Sequence, residues 1–548
     1  VTSGAASRWS ASERAADLQR AAREELDLLV IGGGITGAGV LRDAASRGLR
    51  ALLVERSDFA SGTSGRSSKL AHGGLRYIAQ GHLGVVRSAC RERDRLVALN
   101  PNLVRPLPFL LPAYEDSRLP LWKVRAAMWS YAALGSFRRS ARTRMLSPDE
   151  VMERAPALRS RGLRGAGLYL DARVDDARLV IETLKSARRL GAAAVNHAEV
   201  VAFLRDGPRL RGARVRDGLG GGSFDLRARV VVNAAGPAVE RLRGLDAPVR
   251  RQELRPAKGV HLVLPRRRVR GDHAITHEAA DGRHVFLVPW DDMVLVGTTD
   301  SFTEEIDAPV VTIEEVHYLL DWVNRTFPGA RLTTNDLCSV FAGVRPLAAA
   351  PGEDVPPSSV SREERIYRDP SGLISAAGGK LTTYRATGEK IVDRVARRLS
   401  PRAFGPSRTA SLPLREDDFD PAELEAELGS RFGVARWRAA HLVSQYGAAA
   451  RTLLEEAPPA LRAPVGASRF TLAEIPWCME TECATSLRDL LEHRVRMALW
   501  AAGQGLPELP LLAQLAARSA GWDAERAAAE ADAYADAVRR QFQIVAPT

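Results

Sequence analysis

Residues 26–55 read LDLLVIGGGITGAGVLRDAASRGLRALLVE, and they carry the clearest structural signal in the chain. The apolar run 26–31 is too short for a helix and ends in glycines, so it reads as a buried strand. A helix is predicted over 35–47 and a second strand over 51–55, which together make a βαβ unit of a Rossmann-like α/β fold. Gly32 permits the tight turn, Gly34 lets the backbone approach a pyrophosphate, and Gly37 lets helix and strand lie close. The unpaired N–H groups at the helix start, around Ile35 and Thr36, point at the phosphates. Glu55, 18 residues beyond Gly37, stands where a carboxylate accepts from an adenosine ribose. Its charge disfavours a 2′-phosphate. The pattern alone does not choose between FAD and NAD.

Outward from this unit the signals weaken. Residues 106–112, PLPFLLP, hold three prolines that forbid a helix and predict an extended segment. Leu121, Trp122, Val124, Met128, Tyr131 and Leu134 fall near helical spacing beside Lys123 and Arg125, which predicts an amphipathic helix over 121–134. Strand-like runs at 228–233, 261–264, 285–288 and 293–296, with turns at Gly236-Pro237 and Asp291-Asp292, predict a mixed sheet. From about residue 417 the chain turns to alanine-, leucine- and glutamate-rich helical periodicity, after a polar, proline-containing stretch at 400–415. No internal repeat is visible.

Composition excludes several classes. A chain of 548 residues calls for two or three domains, and 45% hydrophobic with 26% charged residues is ordinary for a packed interior. The four cysteines, Cys90, Cys338, Cys478 and Cys483, lack CxxC spacing, which argues against a disulfide scaffold or a zinc site and suits a reducing compartment. A net charge of +12 suits nucleic acid, an anionic membrane surface or a phosphorylated substrate. Dispersed arginines without interleaved aromatics speak against nucleic acid. Residues 1–25 read as a polar extension, helical from Ser12 onward, with no apolar core of a secretory signal. No run of about 18 apolar residues occurs, so peripheral attachment is the membrane contact left open.

The choice of cofactor comes from resemblance. Residues 57–77, SDFASGTSGRSSKLAHGGLRY, resemble the first signature of the FAD-dependent glycerol-3-phosphate dehydrogenases, and 378–385, GGKLTTYR, resemble the second. Between them, VDDARL at 174–179, VNAAGP at 232–237, KGVH at 258–261, GTTD at 297–300 and GVRPL at 343–347 match in order. ECATSLRDLL at 482–491 is similar to the family's helical domain, so the resemblance spans about residues 26–505.

It implies a discontinuous FAD-binding domain with a mixed-sheet substrate cap over 26–405, and a helical C-terminal domain over 410–548. It implies oxidation of sn-glycerol 3-phosphate to dihydroxyacetone phosphate, with electrons passing to a membrane quinone. The cell location that follows is cytoplasmic, peripheral on the inner face of the cell membrane. The oligomeric state, a homodimer included, stays open.

Residue by residue, the expected flavin contacts are Gly32, Gly34, Ile35, Thr36, Gly37, Glu55, Thr63, Ser64, Ser67, Ser68, Lys69, His72, Gly74, Ala235, Gly236, Gly379, Lys380, Leu381 and Thr382. A phosphate monoester needs converging cations, and guanidinium grips it bidentately. Arg76, Arg345 and Lys380 sit in matching motifs, with Tyr77 beside them and Arg362 in a looser match. Hydride removal from a carbinol also needs a base near the oxygen, and histidine has a suitable pKa. His261 occupies the family's substrate-side position, His72 is expected along the flavin, and Arg345 competes for polarising the hydroxyl. No metal is expected. Two rivals remain, an oxidase that reduces dioxygen and a non-catalytic flavin-binding, membrane-associated protein. Intact Arg76, His261, Arg345 and Lys380 argue against the second.

Overall fold

The structure is a computed structural model that describes residues 8–79, 81–135, 143–247, 254–347, 360, 364–400, 404–416 and 418–544. The glycine-rich unit forms as the spacing predicts: strand Leu26–Ile31, helix Ile35–Ser46 and strand Ala51–Val54, the latter two ending one residue early. Leu26–Ile31 pairs in parallel with Ala51–Val54 on one side and Ser223–Asn233 on the other. Ile374–Ala377 and Ala193–Val195 continue the parallel sheet outward, and Arg365–Arg368 closes one edge antiparallel. All six side chains of Leu26–Ile31 are buried, because helices cover both faces, as parallel sheets require. Helix Ile35–Ser46 lies between helices Asp176–Arg189 and Tyr384–Leu399, while helix Ala11–Arg23 covers the opposite face.

That last helix departs from the expected polar extension. Ser10 caps it through a capping box, and Trp9, Arg14 and Leu18 are buried. Arg14 donates to the Asn196 and His197 carbonyls and pairs with Asp217, so polar residues here are interior anchors.

Among the described residues a second, ten-stranded sheet forms the cap, eight strands following the order Ser301–Phe302, Arg255–Pro265, Met293–Gly297, His284–Trp290, Ala274–Glu278, Val104–Tyr114, Leu163–Val174, Leu70–Ala71, with Arg144–Leu146 pairing with Leu163–Val174 off this path. Ser339–Leu347 also pairs antiparallel with Arg255–Pro265. The proline-rich 106–112 is indeed extended, within Val104–Tyr114. Its partner Leu163–Val174 gives little sequence signal, since Gly165 and Gly167 break the apolar alternation. A methyl group on Gly167 would meet the Met128 side chain, so the glycine admits the helix above it.

That helix is Leu121–Leu134, and it is not cleanly amphipathic. Val124, Met128 and Tyr131 point inward, yet Trp122 and Trp129 are 67% and 68% exposed on the outside. The C-terminal helices, from Pro421–Phe432 to Ala524–Gln541, share one core with the cap through residues such as Phe109, Trp290, Leu490 and Trp500. They also reach the dinucleotide domain. Arg494 grips the Asp58 carboxylate with two donors, and Arg496 bonds Asp175, Asp176 and the Gly65 carbonyl.

Candidate active site

A cavity of about 1290 Å³ runs from the glycine turn to the face of the cap sheet. At the glycine end the backbone does the shaping. Gly32 adopts φ +113°, where a side chain is strained, and a methyl group there would lie 2.6 Å from the Ala234 carbonyl oxygen. A methyl group on Gly37 would overlap the Gly32 carbonyl oxygen, so only glycine lets the helix approach the turn. Gly34 precedes the helix without a side-chain cap, and the Ile35 N–H donates to Ser64 Oγ at 2.9 Å. Glu55 accepts from the Gly33 N–H at 2.6 Å and the Ser57 N–H at 2.9 Å, which aims the carboxylate at the cavity. Burial holds its pKa above the usual carboxylate range despite these donors. A methyl group on Gly236 would meet nothing within 4 Å, so the backbone there opens on the cavity. A phosphate-facing helix start, a ribose-facing carboxylate and a glycine-edged slot suit a long dinucleotide.

At the cap end the strand period of two brings the motif residues onto one face. Gly259 and His261 alternate with Lys258 and Val260 on Arg255–Pro265. On the next strand Phe341, Gly343 and Arg345 stand opposite His261, Gly259 and Ala257. His261 stacks on Phe341, ring centroids 4.9 Å apart and planes 9° from parallel. Across the other neighbour His261 faces Gly297, where a methyl group would overlap the imidazole. Gly259 likewise vacates the space taken by the Arg345 guanidinium. Arg345 donates to Asp300 at 3.0 Å and to Thr298 Oγ1 at 2.8 Å. The glycines of these motifs therefore make room for the chemistry-bearing side chains.

His261 is 2% exposed, and its Nε2 lies 2.8 Å from Ser68 Oγ. Burial, then Arg345 and Lys69, hold it well below the usual histidine range, so the imidazole rests neutral. Lys380 sets its ammonium 3.6 Å from the centre of the Tyr77 ring, and a side chain on Gly74 would strike that ring. Arg76 lines the same end.

Most expected site residues line the cavity: Gly32, Gly34, Ile35, Thr36, Glu55, Thr63, Ser64, Ser67, Ser68, His72, Gly74, Ala235, Gly236, Gly379, Leu381, Thr382, Arg76, Tyr77, His261, Arg345 and Lys380. Gly37 acts behind the turn. The fully buried Lys69 ammonium pairs with Asp176 at 2.8 Å, and burial with Arg496 lowers its pKa to about 8. Arg362 lies outside the described residues.

Sequence reading missed Arg283, which donates to the Asp300 carbonyl, and His284, lowered to about 4 by burial and Arg76. No motif surrounds either. It also assigned no role to Thr298 and Asp300, although both lie in the GTTD match. From the C-terminal helices, Ser486, Glu492, His493 and Gln541 reach the cavity wall. Asp58, His197 and Asp489 cluster as metal ligands do. Their oxygens are already engaged, Asp58 by Arg494 and Asn196, and Asp489 by Thr485 and His197. The cluster is an ion-pair joint between domains.

Residues 27–394 match the family described as FAD dependent oxidoreductase, and 407–527 match the C-terminal domain of alpha-glycerophosphate oxidase. The chain is 38% identical over 437 residues to an aerobic glycerol-3-phosphate dehydrogenase of Staphylococcus aureus (strain USA300), covering 77% of this chain and 78% of the relative. It superposes on glycerol-3-phosphate dehydrogenase from Bacillus halodurans, solved with FAD, with TM-score 0.80 and 30% identity over 97% of this chain and 98% of that one. L-alpha-glycerophosphate oxidase from Mycoplasma pneumoniae, 16% identical with TM-score 0.55 over 72% of this chain and all of that one, shares the fold. The chain belongs to the FAD-dependent oxidoreductases and, within them, to the family of the aerobic glycerol-3-phosphate dehydrogenases. FAD is accordingly its cofactor, and the cradle fits it.

Proposed function

We propose that this chain oxidises sn-glycerol 3-phosphate to dihydroxyacetone phosphate and delivers the electrons to a membrane quinone. The observation that carries the reading is the meeting, in one cavity, of a dinucleotide cradle with His261, Arg76, Arg283, Arg345 and Lys380. Bound FAD supplies a two-electron hydride acceptor. The chain's own residues do the rest. The cations grip a phosphate dianion and orient the three-carbon chain. Arg345, held by Asp300 and Thr298, polarises the hydroxyl, and His261 receives its proton.

Two features support contact with a membrane. Helix Leu121–Leu134 lines the cavity with Lys123, Ala126, Ala127 and Ser130, while Trp122 and Trp129 face outward beside Lys123 and Arg125. Exposed tryptophans among cations suit the lipid interface, and a helix that also lines the cavity would bring an apolar acceptor near it. No described helix is long and apolar enough to cross a membrane. The attachment is therefore expected to be peripheral, on the inner face of the cell membrane, and released by high salt.

The test is anaerobic addition of glycerol 3-phosphate to the purified flavoprotein. Bleaching of the flavin absorbance, absent with glycerol, supports the substrate. Reoxidation by a quinone analogue without peroxide supports the acceptor, and rapid peroxide formation in air would instead make the chain an oxidase.

A further inference from the structure

We propose that the Ser68 hydroxyl is the proton conduit between the substrate's secondary hydroxyl and His261, so that His261 acts as base through Ser68. This rests on the carbinol-oxidising reading of the cavity. Phe341 and Gly297 confine the imidazole on two sides. One face lies on Phe341, and one edge abuts Gly297 so closely that a methyl group there would overlap it. Nδ1 is buried with no hydrogen-bond partner among the described residues. Nε2 has Ser68 Oγ at 2.8 Å, and the whole residue is 2% exposed. A substrate hydroxyl seeking this ring meets the serine, which is half-buried and lines the cavity.

The flanking residues explain why Ser68 is free for this work. Ser67 donates to Asp176 from its backbone N–H at 2.9 Å and from its hydroxyl at 2.7 Å, and Lys69 binds the same carboxylate. Arg496 holds Asp176 from behind and also bonds the Gly65 carbonyl. The residues on both sides of Ser68 are thus pinned to one buried anion, while the Ser68 hydroxyl turns toward His261. A hydroxyl donates and accepts at once, which is what a relay needs.

The step balances. The substrate O–H bond breaks and its proton passes to Ser68 Oγ, the Ser68 O–H bond breaks and that proton passes to His261 Nε2. The carbinol C–H bond breaks as hydride leaves for the flavin, and the C=O bond forms. Substrate loses two electrons, the flavin gains them, and the proton rests on the imidazole.

Ser68→Ala, Ser68→Thr and the parent, each loaded with FAD, are compared by stopped-flow flavin reduction with glycerol 3-phosphate in mixtures of light and heavy water. Histidine ¹⁵N spectra of the same proteins without substrate give a second readout. We expect Ser68→Ala to slow the limiting reduction rate by ~100-fold with substrate affinity changed less than about threefold. We expect a curved proton inventory in the parent to become linear in Ser68→Ala, Ser68→Thr to recover most of the rate, and the His261 Nε2 resonance to move in the alanine variant. A Ser68→Ala rate within about twofold of the parent, or a threonine variant as slow as alanine, overturns the relay. If the parent itself is not reduced by glycerol 3-phosphate, the substrate reading fails. The Ser68–His261 link is then judged by the spectra, and an unmoved Nε2 resonance overturns it.

Discussion

At the dinucleotide end of the cavity the working groups are main-chain N–H groups and one carboxylate, drawn from residues 32–64. At the cap end they are side chains of residues 76, 261, 283, 300, 345 and 380, carried on a short helix, two strands and connecting loops. Glycine serves both ends, differently. Gly37 clears space for another stretch of backbone, whereas Gly297 and Gly259 clear space for His261 and Arg345. A backbone-built site fails as a unit when a glycine is filled, because main chain cannot step aside. A side-chain-built site should lose rate or affinity separately and keep its cofactor.

The severest way to probe this contrast is Gly37→Ala. Its methyl group meets a carbonyl oxygen, so the helix must move, at a cost of ~2–4 kcal/mol and with loss of FAD. Thermal unfolding and the flavin-to-protein absorbance ratio check both. A stable, fully yellow Gly37→Ala protein would erase the distinction. Gly297→Ala should do the opposite, keeping FAD while lowering the flavin reduction rate by ~100-fold, because the methyl group displaces the His261 ring. Rapid-mixing absorbance reads the rate, and FAD loss in this variant would mean that the ends are not separable.

Arg345→Ala is expected to weaken glycerol 3-phosphate binding by ~2–3 kcal/mol, since it removes a cation and one partner of Asp300 beside the anion. Titration of glycerol 3-phosphate against flavin reduction reads the loss of affinity and, because Arg345 also polarises the hydroxyl, a fall in the limiting rate. The smallest effect lies beside the dinucleotide end, at the His197–Asp489 joint, where the His197 N–H donates to the Ser57 carbonyl. Burial opposes the imidazolium, but Asp489 outweighs it and carries His197 up to about 9. A raised folded-state pKa stabilises fully below the unfolded value near 6.5 and is lost as pH rises through about 9. His197→Gln should therefore cost about 1–3 kcal/mol at pH 6 and little at pH 10, measured by denaturant unfolding.

The two ends also differed in how far they could be read from sequence. Gly32, Gly34, Gly37 and Glu55 were legible with their roles, because strand, turn and helix are local and the backbone donors follow from chain order. Arg76, His261, Arg345 and Lys380 were found through resemblance, and the structure brings them to one cavity. Arg283 escaped, since nothing in Asp281-Gly282-Arg283-His284 says that its guanidinium reaches the Asp300 carbonyl. Lys69 shows the converse. It lies inside a flavin motif, and only the fold shows Asp176 drawing its ammonium inward.

By itself the sequence determined the βαβ unit, the dinucleotide cradle and the change to helices beyond residue 417, each a signal carried by neighbours along the chain. Tertiary structure decided which motif residues meet. Gly259, His261, Phe341, Gly343 and Arg345 share a face because two distant strands pair in one register, and a shift of a single residue would turn each strand's side chains to the other side. It also decided that Trp9 and Arg14 are interior, that Trp122 and Trp129 face outward, and that Arg494 and Arg496 reach across to the dinucleotide domain. Those outcomes depend on what packs against each residue from far away in the chain, which periodicity along the chain does not encode.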